Sequence, residues 1–186
     1  MSILAIRVLG DPILREETKP VEEITDELRT LVKNMFETMY LAKGIGLAAP
    51  QIGRSERIAV VDVDNNPLVL VNPEILEFGP KPAKAEEGCL SIPDVYGDVE
   101  RPATVRVRAT GLDGKTFEVD GSDLFGRCLQ HEIDHLHGKL FVDYLSVLKR
   151  RSAMAKWTKE KDKYPGFIRH LENDPSLKHE HPDEEL

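Results

Sequence analysis

One stretch constrains this 186-residue chain more than any other: Cys128-Leu-Gln-His131-Glu132-Ile-Asp-His135, with Gly138 close behind. A helix turns about 100° per residue, so His131 and His135 fall one turn apart on the same face. Two imidazoles so placed can grip one divalent metal. Glu132 can reach a water on that metal without ligating it, which is the arrangement of metal-assisted hydrolysis. Ser122 or Asp123 suits the helix start and Gly138 its end. Such a helix needs a sheet to pack against and a third ligand from elsewhere in the chain.

Catalytic sites of this kind usually take three protein ligands and leave one position for water. The longer protease pattern puts a histidine at position 141, which is Phe here. The other protease solution, a glutamate from a later helix, would fall on Glu160, which sits among lysines. That leaves the only two cysteines. Cys128 lies three residues before His131 on a neighbouring helix face, where a buried packing role competes with ligation. Cys89 follows a glycine and can bring a thiolate to the helix from outside. The spacing leaves both open, with a modest preference for Cys89.

The chain is 40% hydrophobic and 31% charged, enough for one domain with a real core. A net charge of −8 argues against wholesale nucleic-acid binding. No early apolar run resembles a signal peptide, and no stretch is long enough to span a bilayer. Two cysteines without a secretory signal point to a reducing compartment, so a cytoplasmic protein is expected.

Thr25 should cap a helix whose stripe is Leu28, Leu31, Val32, Met35, Phe36 and Met39, ending at Gly44. Gly44 to Gly53 carries little side chain, so another chain can approach its backbone closely. Strands are expected over 57–63 and 68–71 around an Asp64-Asn65-Asn66-Pro67 turn, then near 74–78, 104–110 and 115–119. Strands between separated helices predict an α+β fold with largely antiparallel sheets around the metal helix. Ser146 should cap a last helix to about Tyr164. Residues 144–164 hold seven basic residues against two acidic ones, and residues 171–186 hold six acidic against one lysine. A catalytic domain is expected over 1–170, with a disordered acidic tail over 171–186.

Three ordered motifs carry a resemblance: Gly44-Ile-Gly-Leu-Ala-Ala-Pro-Gln51, Glu87-Gly-Cys89-Leu-Ser, and Gln130-His131-Glu-Ile-Asp-His135. Together they resemble peptide deformylase of the bacterial type. The resemblance implies an enzyme that removes the formyl group from N-formylmethionine on nascent peptides, releasing formate. It implies Cys89, His131 and His135 as metal ligands and Glu132 as the acid/base. It implies that Gln51 and the Leu90 N–H hold the carbonyl oxygen, and that Gly44, Ile45, Gly46, Glu87 and Gly88 lie along the substrate. Ligand chemistry alone points to zinc. The resemblance implies Fe2+, with Ni2+, Co2+ or Zn2+ as substitutes. A metallopeptidase of the H-E-x-x-H kind is the alternative. A monomer without membrane contact is expected. The basic C-terminal helix is expected to meet ribosomal RNA, with Trp157 either anchoring there or packing back. A chain cut after Ser146 is then expected to keep hydrolysing a free formyl tripeptide.

Overall fold

Thr25 opens the first long element as the sequence predicts: its hydroxyl accepts from the Leu28 N–H at 3.1 Å. The computed structural model describes residues 2–174 and 177. In it, β1 (Ile6–Arg7) precedes α1 (Asp26–Leu41), and β2 (Gly46–Ala48), β3 (Ile58–Val63) and β4 (Asn66–Phe78) follow. Then come β5 (Pro82–Cys89), β6 (Ile92–Pro102), β7 (Thr104–Thr110), β8 (Thr116–Ser122), α2 (Asp123–Leu136), α3 (Val147–Glu160) and β9 (Ile168–Arg169). The fold is α+β, and every pairing of these strands is antiparallel.

Five strands form one sheet in the order β2-β3-β4-β7-β8. The β3–β4 turn has Asp64 and Asn65 at φ 56° and 58°, the two positive angles of a twist-matched hairpin turn. One side of this sheet packs on α1, whose Leu28, Val32, Met35 and Met39 join Leu47, Ile58, Val60 and Val71 in a core cluster. Ile45, Val61, Leu70, Val105 and Val107 meet Cys128, Leu129 and Ile133 of α2 in a second cluster.

Helix α2 lies inside the molecule. Its N-cap Ser122 makes no side-chain cap bond, and Gly138 lies beyond its end at φ 72°. Ten of its residues are buried, among them Arg127, Gln130, His131, Glu132 and His135. Burying five polar side chains on one helix is costly unless partners meet them. That requirement sets the site.

The partners come from a separate two-stranded hairpin, β5–β6. Helix α3 starts at the Ser146 cap, where the hydroxyl accepts from the Lys149 N–H, and runs along β6. It ends at Glu160, four residues before the expected Tyr164, because the chain turns there to stack Tyr164 beside Trp157. Trp157 is buried, and its Nε1 donates to the Leu9 carbonyl at 3.2 Å. It packs back on the domain and offers no exposed anchor. Strand β9 pairs with β1, joining the segment before α1 to the segment after α3. Residues 171–174, placed with the acidic tail in the sequence reading, pack on the body: Leu171 is buried in the core beside α1, and the buried Asp174 pairs with Arg169. Apart from residue 177, the rest of the expected tail lies outside the described residues.

Candidate metal centre

Helical spacing brings the two imidazoles together, with Nε2 of His131 and Nε2 of His135 3.2 Å apart. Cys89 arrives from the closed end of the β5–β6 hairpin. A register shift between Glu87 and Cys89 re-aims its side chain. Its Sγ stands 3.3 Å from His135 Nε2. The three ligand atoms lie within 4.8 Å of one another, and all three residues are buried. Cys128 stays apart. Its Sγ points at the Ile45 carbonyl at 3.6 Å, inside the cluster between α2 and the sheet.

Glu87 is where the structure departs from the expected substrate lining. Both its oxygens are used inside the protein. Arg101 reaches it through Nε at 2.6 Å and Nη2 at 2.9 Å, Arg127 through Nη1 at 2.7 Å, and His131 through Nδ1 at 2.9 Å. Burial raises the Glu87 carboxyl, but the hydrogen bonds from His131 and Arg101 outweigh it and hold the group below the ordinary carboxylate range. An ionised carboxylate only accepts, so Nδ1 of His131 carries the hydrogen. The Nε2 lone pair is thereby turned toward Cys89 and His135. Arg101 is itself anchored through Nη1 to Asp134 at 2.8 Å. Arg127 also donates to the carbonyls of Val99 and Ala83, both at 2.9 Å.

Glu132 is the opposite case. Both carboxylate oxygens are buried and have no hydrogen-bond partner among the described residues. Burial pushes its pKa well above the usual value. Gly46 permits this position, because a Cβ there would sit 2.4 Å from Glu132 Oε1. Burial and the neighbouring His131 push His135 well down, keeping it neutral and able to donate a lone pair.

Gln51 is fully buried. Its oxygen accepts from the Ala48 N–H at 2.9 Å, which turns the NH2 inward. Nε2 then lies 3.2 Å from Ser91 Oγ and 3.7 Å from Cys89 Sγ. Leu90, Ile45, Gly44, Gly46 and Gly88 are all buried, and Gly44 lies against the Leu90 side chain.

A divalent metal fits this set. One thiolate and two neutral imidazoles converge, one imidazole is oriented by a carboxylate behind it, and the residue next to that imidazole, Glu132, carries a buried carboxylate with no partner among the described residues. The sequence reading missed Arg101, Arg127 and Asp134. Arg127 carried a signal, since it lies four residues before His131 and so shares its helix face. Arg101 carried none.

A sequence model of the polypeptide deformylase family matches residues 3–151. A peptide deformylase of Mesorhizobium japonicum is 51% identical over 174 residues, covering 90% of this chain and 99% of its own. Among solved structures, a peptide deformylase from Legionella pneumophila superposes with a TM-score of 0.83 at 48% identity, over 87% of this chain and 97% of its own. One from Synechococcus elongatus, in complex with actinonin, gives 0.79 at 44% identity, over 81% and 85%.

Proposed function

The chain belongs to the polypeptide deformylase family and is an enzyme of that type, and from that premise we propose that it hydrolyses the formyl amide of N-formylmethionyl nascent peptides at the Cys89–His131–His135 cluster, releasing formate. The observation that carries this reading is the buried Glu132 carboxylate, without a partner among the described residues, on the residue that follows the His131 ligand of a converging Cys-His-His set. A divalent ion held by Cys89, His131 and His135 supplies Lewis acidity and a water reactive near neutral pH. We assign Fe2+ to this role, with Ni2+, Co2+ or Zn2+ as substitutes, because ligand softness alone does not fix which metal is bound.

The residues then divide the work. Glu132 takes the proton of the attacking water and delivers it to the leaving methionine nitrogen. Its raised pKa suits it to hold that proton in between. Gln51 Nε2 and the Leu90 N–H donate to the oxygen on which charge develops. One such donor is typically worth about 3–4 kcal/mol. Glu87, with Arg101 and Arg127 behind it, keeps His131 in its ligating tautomer. Strand β2 lies at the edge of its sheet. Gly44, Ile45 and Gly46 therefore leave backbone along which an extended peptide can add as a further strand.

The enzyme is proposed to act as a cytoplasmic monomer, its catalytic domain reaching at least Asp174. No helix among the described residues is long and apolar enough to cross a membrane. Helix α3 exposes Val147 and Leu148 at its start, and Arg151, Lys156 and Lys159 make no ion pair among the described residues. A cationic face with an apolar lip suits ribosomal RNA and protein. Charge reversal of those three residues should weaken co-sedimentation with ribosomes, and unchanged binding refutes the docking.

The function itself is tested by offering anaerobically prepared protein two substrates, formyl-Met-Ala-Ser and a peptide blocked at both ends. Formate release from the first with no cleavage of the second is expected. Internal cleavage instead makes the protein an endopeptidase.

A further inference from the structure

The folded chain continues past α3. It makes short 3-10 helices at Lys161–Lys163 and Pro165–Phe167, then returns through β9 to β1. Residues 152–174 lie outside the stretch matched by the family, which ends at 151. Yet Arg169, inside that return, is among the largest fully buried side chains described. A buried guanidinium needs acceptors to offset its lost hydration. Its Nε donates to Asp174 Oδ2, whose other oxygen accepts from the Tyr164 hydroxyl at 3.2 Å. Its Nη1 donates to the Leu90 carbonyl at 2.7 Å, across 79 positions of sequence.

The next carbonyl is tied as well. Ser91 O accepts from the Leu9 N–H at 2.8 Å, and Val8 N–H donates to the Phe167 carbonyl at 3.0 Å. Leu9 in turn gives its carbonyl to Trp157. The fit is close: Gly10 has φ 119°, and a Cβ there would lie 2.2 Å from the Phe167 ring. Both carbonyls that follow Cys89 are therefore held, one directly and one through Val8-Leu9, by the C-terminal return.

We propose that Arg169 is a positioning residue for the reaction: by gripping the Leu90 carbonyl it fixes the Cys89–Leu90–Ser91 backbone, and with it the aim of the Leu90 N–H at the developing oxyanion. The proposal rests on the deformylase reading. Only two soft torsions separate the N–H and the C=O of one residue. Cys89 restrains the first side through its place in the ligand cluster, and Arg169 restrains the second. A donor released by even about 1 Å loses most of its preorganisation, and such a misplacement costs on the order of a hundredfold. The return of the chain is then part of the catalytic apparatus, against the expectation that everything after Ser146 is dispensable for hydrolysis.

Steady-state kinetics on formyl-Met-Ala-Ser, with metal content and Tm, separate positioning from stapling of the termini. Folded, metal-loaded Arg169→Met, assayed well below its Tm, should lose at least about tenfold in kcat with KM within about twofold. Arg169→Lys keeps one donor within reach of the Leu90 carbonyl and should recover part of that loss. Should Arg169→Met fail to fold, Asp174→Asn decides. It keeps the arginine but loosens its anchor, and kcat should fall about threefold at unchanged KM. Wild-type kcat with only a lowered Tm, in whichever variant folds, overturns the proposal and leaves Arg169 a staple. Wild-type protein that releases no formate brings down the functional reading, and this inference with it. Wild-type release with unaltered variants overturns this inference alone.

Discussion

Glu87→Gln replaces one carboxylate oxygen by an NH2 in a buried ionic cluster. The carboxylate takes four hydrogen bonds, two from Arg101 and one each from Arg127 and His131, at 2.6–2.9 Å. Glutamine offers one oxygen, so at most about half of those donors keep an acceptor, and the new NH2 turns its hydrogens toward the rest. Arg101 keeps Asp134, but among the described residues Arg127 is left with the neutral carbonyls of Val99 and Ala83. Removing one partner of a buried pair costs about 3–5 kcal/mol. For a chain of this length that lowers Tm by roughly 6–20 °C. The second effect is specific to the metal: His131 loses the acceptor that fixes its tautomer, and affinity should fall about 10–100-fold. Thermal melts of metal-free protein measure the first effect, and chelator competition at low temperature measures the second. Arg127→Met serves as the control. It removes one tie to Glu87 but leaves His131 its acceptor, so stability should drop while metal affinity stays within about twofold. Wild-type metal affinity in folded Glu87→Gln refutes the orienting role.

Cys89→Ala should lose the metal, whereas Cys128→Ala should keep it and cost about 1 kcal/mol of packing in the buried α2 cluster; metal analysis and melts of both decide, and the reverse pattern moves the third ligand to Cys128. Gly46→Ala places a methyl 2.4 Å from Glu132 Oε1. It should cut formate release at least about tenfold with metal retained, since the acid/base itself must move, and normal release shows that Glu132 has slack. Tyr40 and Tyr144 are each pushed up to about 12, by burial first and then by the hydrogen bond and negative charge of Asp62 and of Asp134. A folded value above the unfolded one near 10 means stabilisation that is complete below pH 10 and lost as pH rises from there through 12. An ultraviolet titration with both phenols ionising at the ordinary value contradicts those two contacts.

Elements with a strong local pattern were readable before the fold was known. The α1 stripe, the Asp64-Asn65 hairpin and the alternation of β7 each encode their own burial, and the structure repeats them. The His131–His135 spacing fixes two ligands because a helix has one geometry. What could not be read depends on contacts between distant segments. Local sequence does not mark Arg101 as the mate of Glu87, since nothing in Val-Glu-Arg-Pro distinguishes it from a surface arginine. Nothing local marks Gln51 as buried; β2 and the β5–β6 hairpin close over it. The C-terminal return reads as a charged end because its buried polar contacts, Arg169 with Asp174 and the Leu90 carbonyl, join residues that nothing local sets apart from surface charges.

The central claim is that Glu132 moves the proton at a metal held by Cys89, His131 and His135. It is met most directly by one comparison: formate released per metal ion by wild-type and Glu132→Gln protein, both prepared without air. The amide fills the same space and cannot accept the proton. Equal metal content with turnover lower by at least about a hundredfold is the predicted result. Near-normal formate release by the metal-loaded Glu132→Gln protein contradicts it.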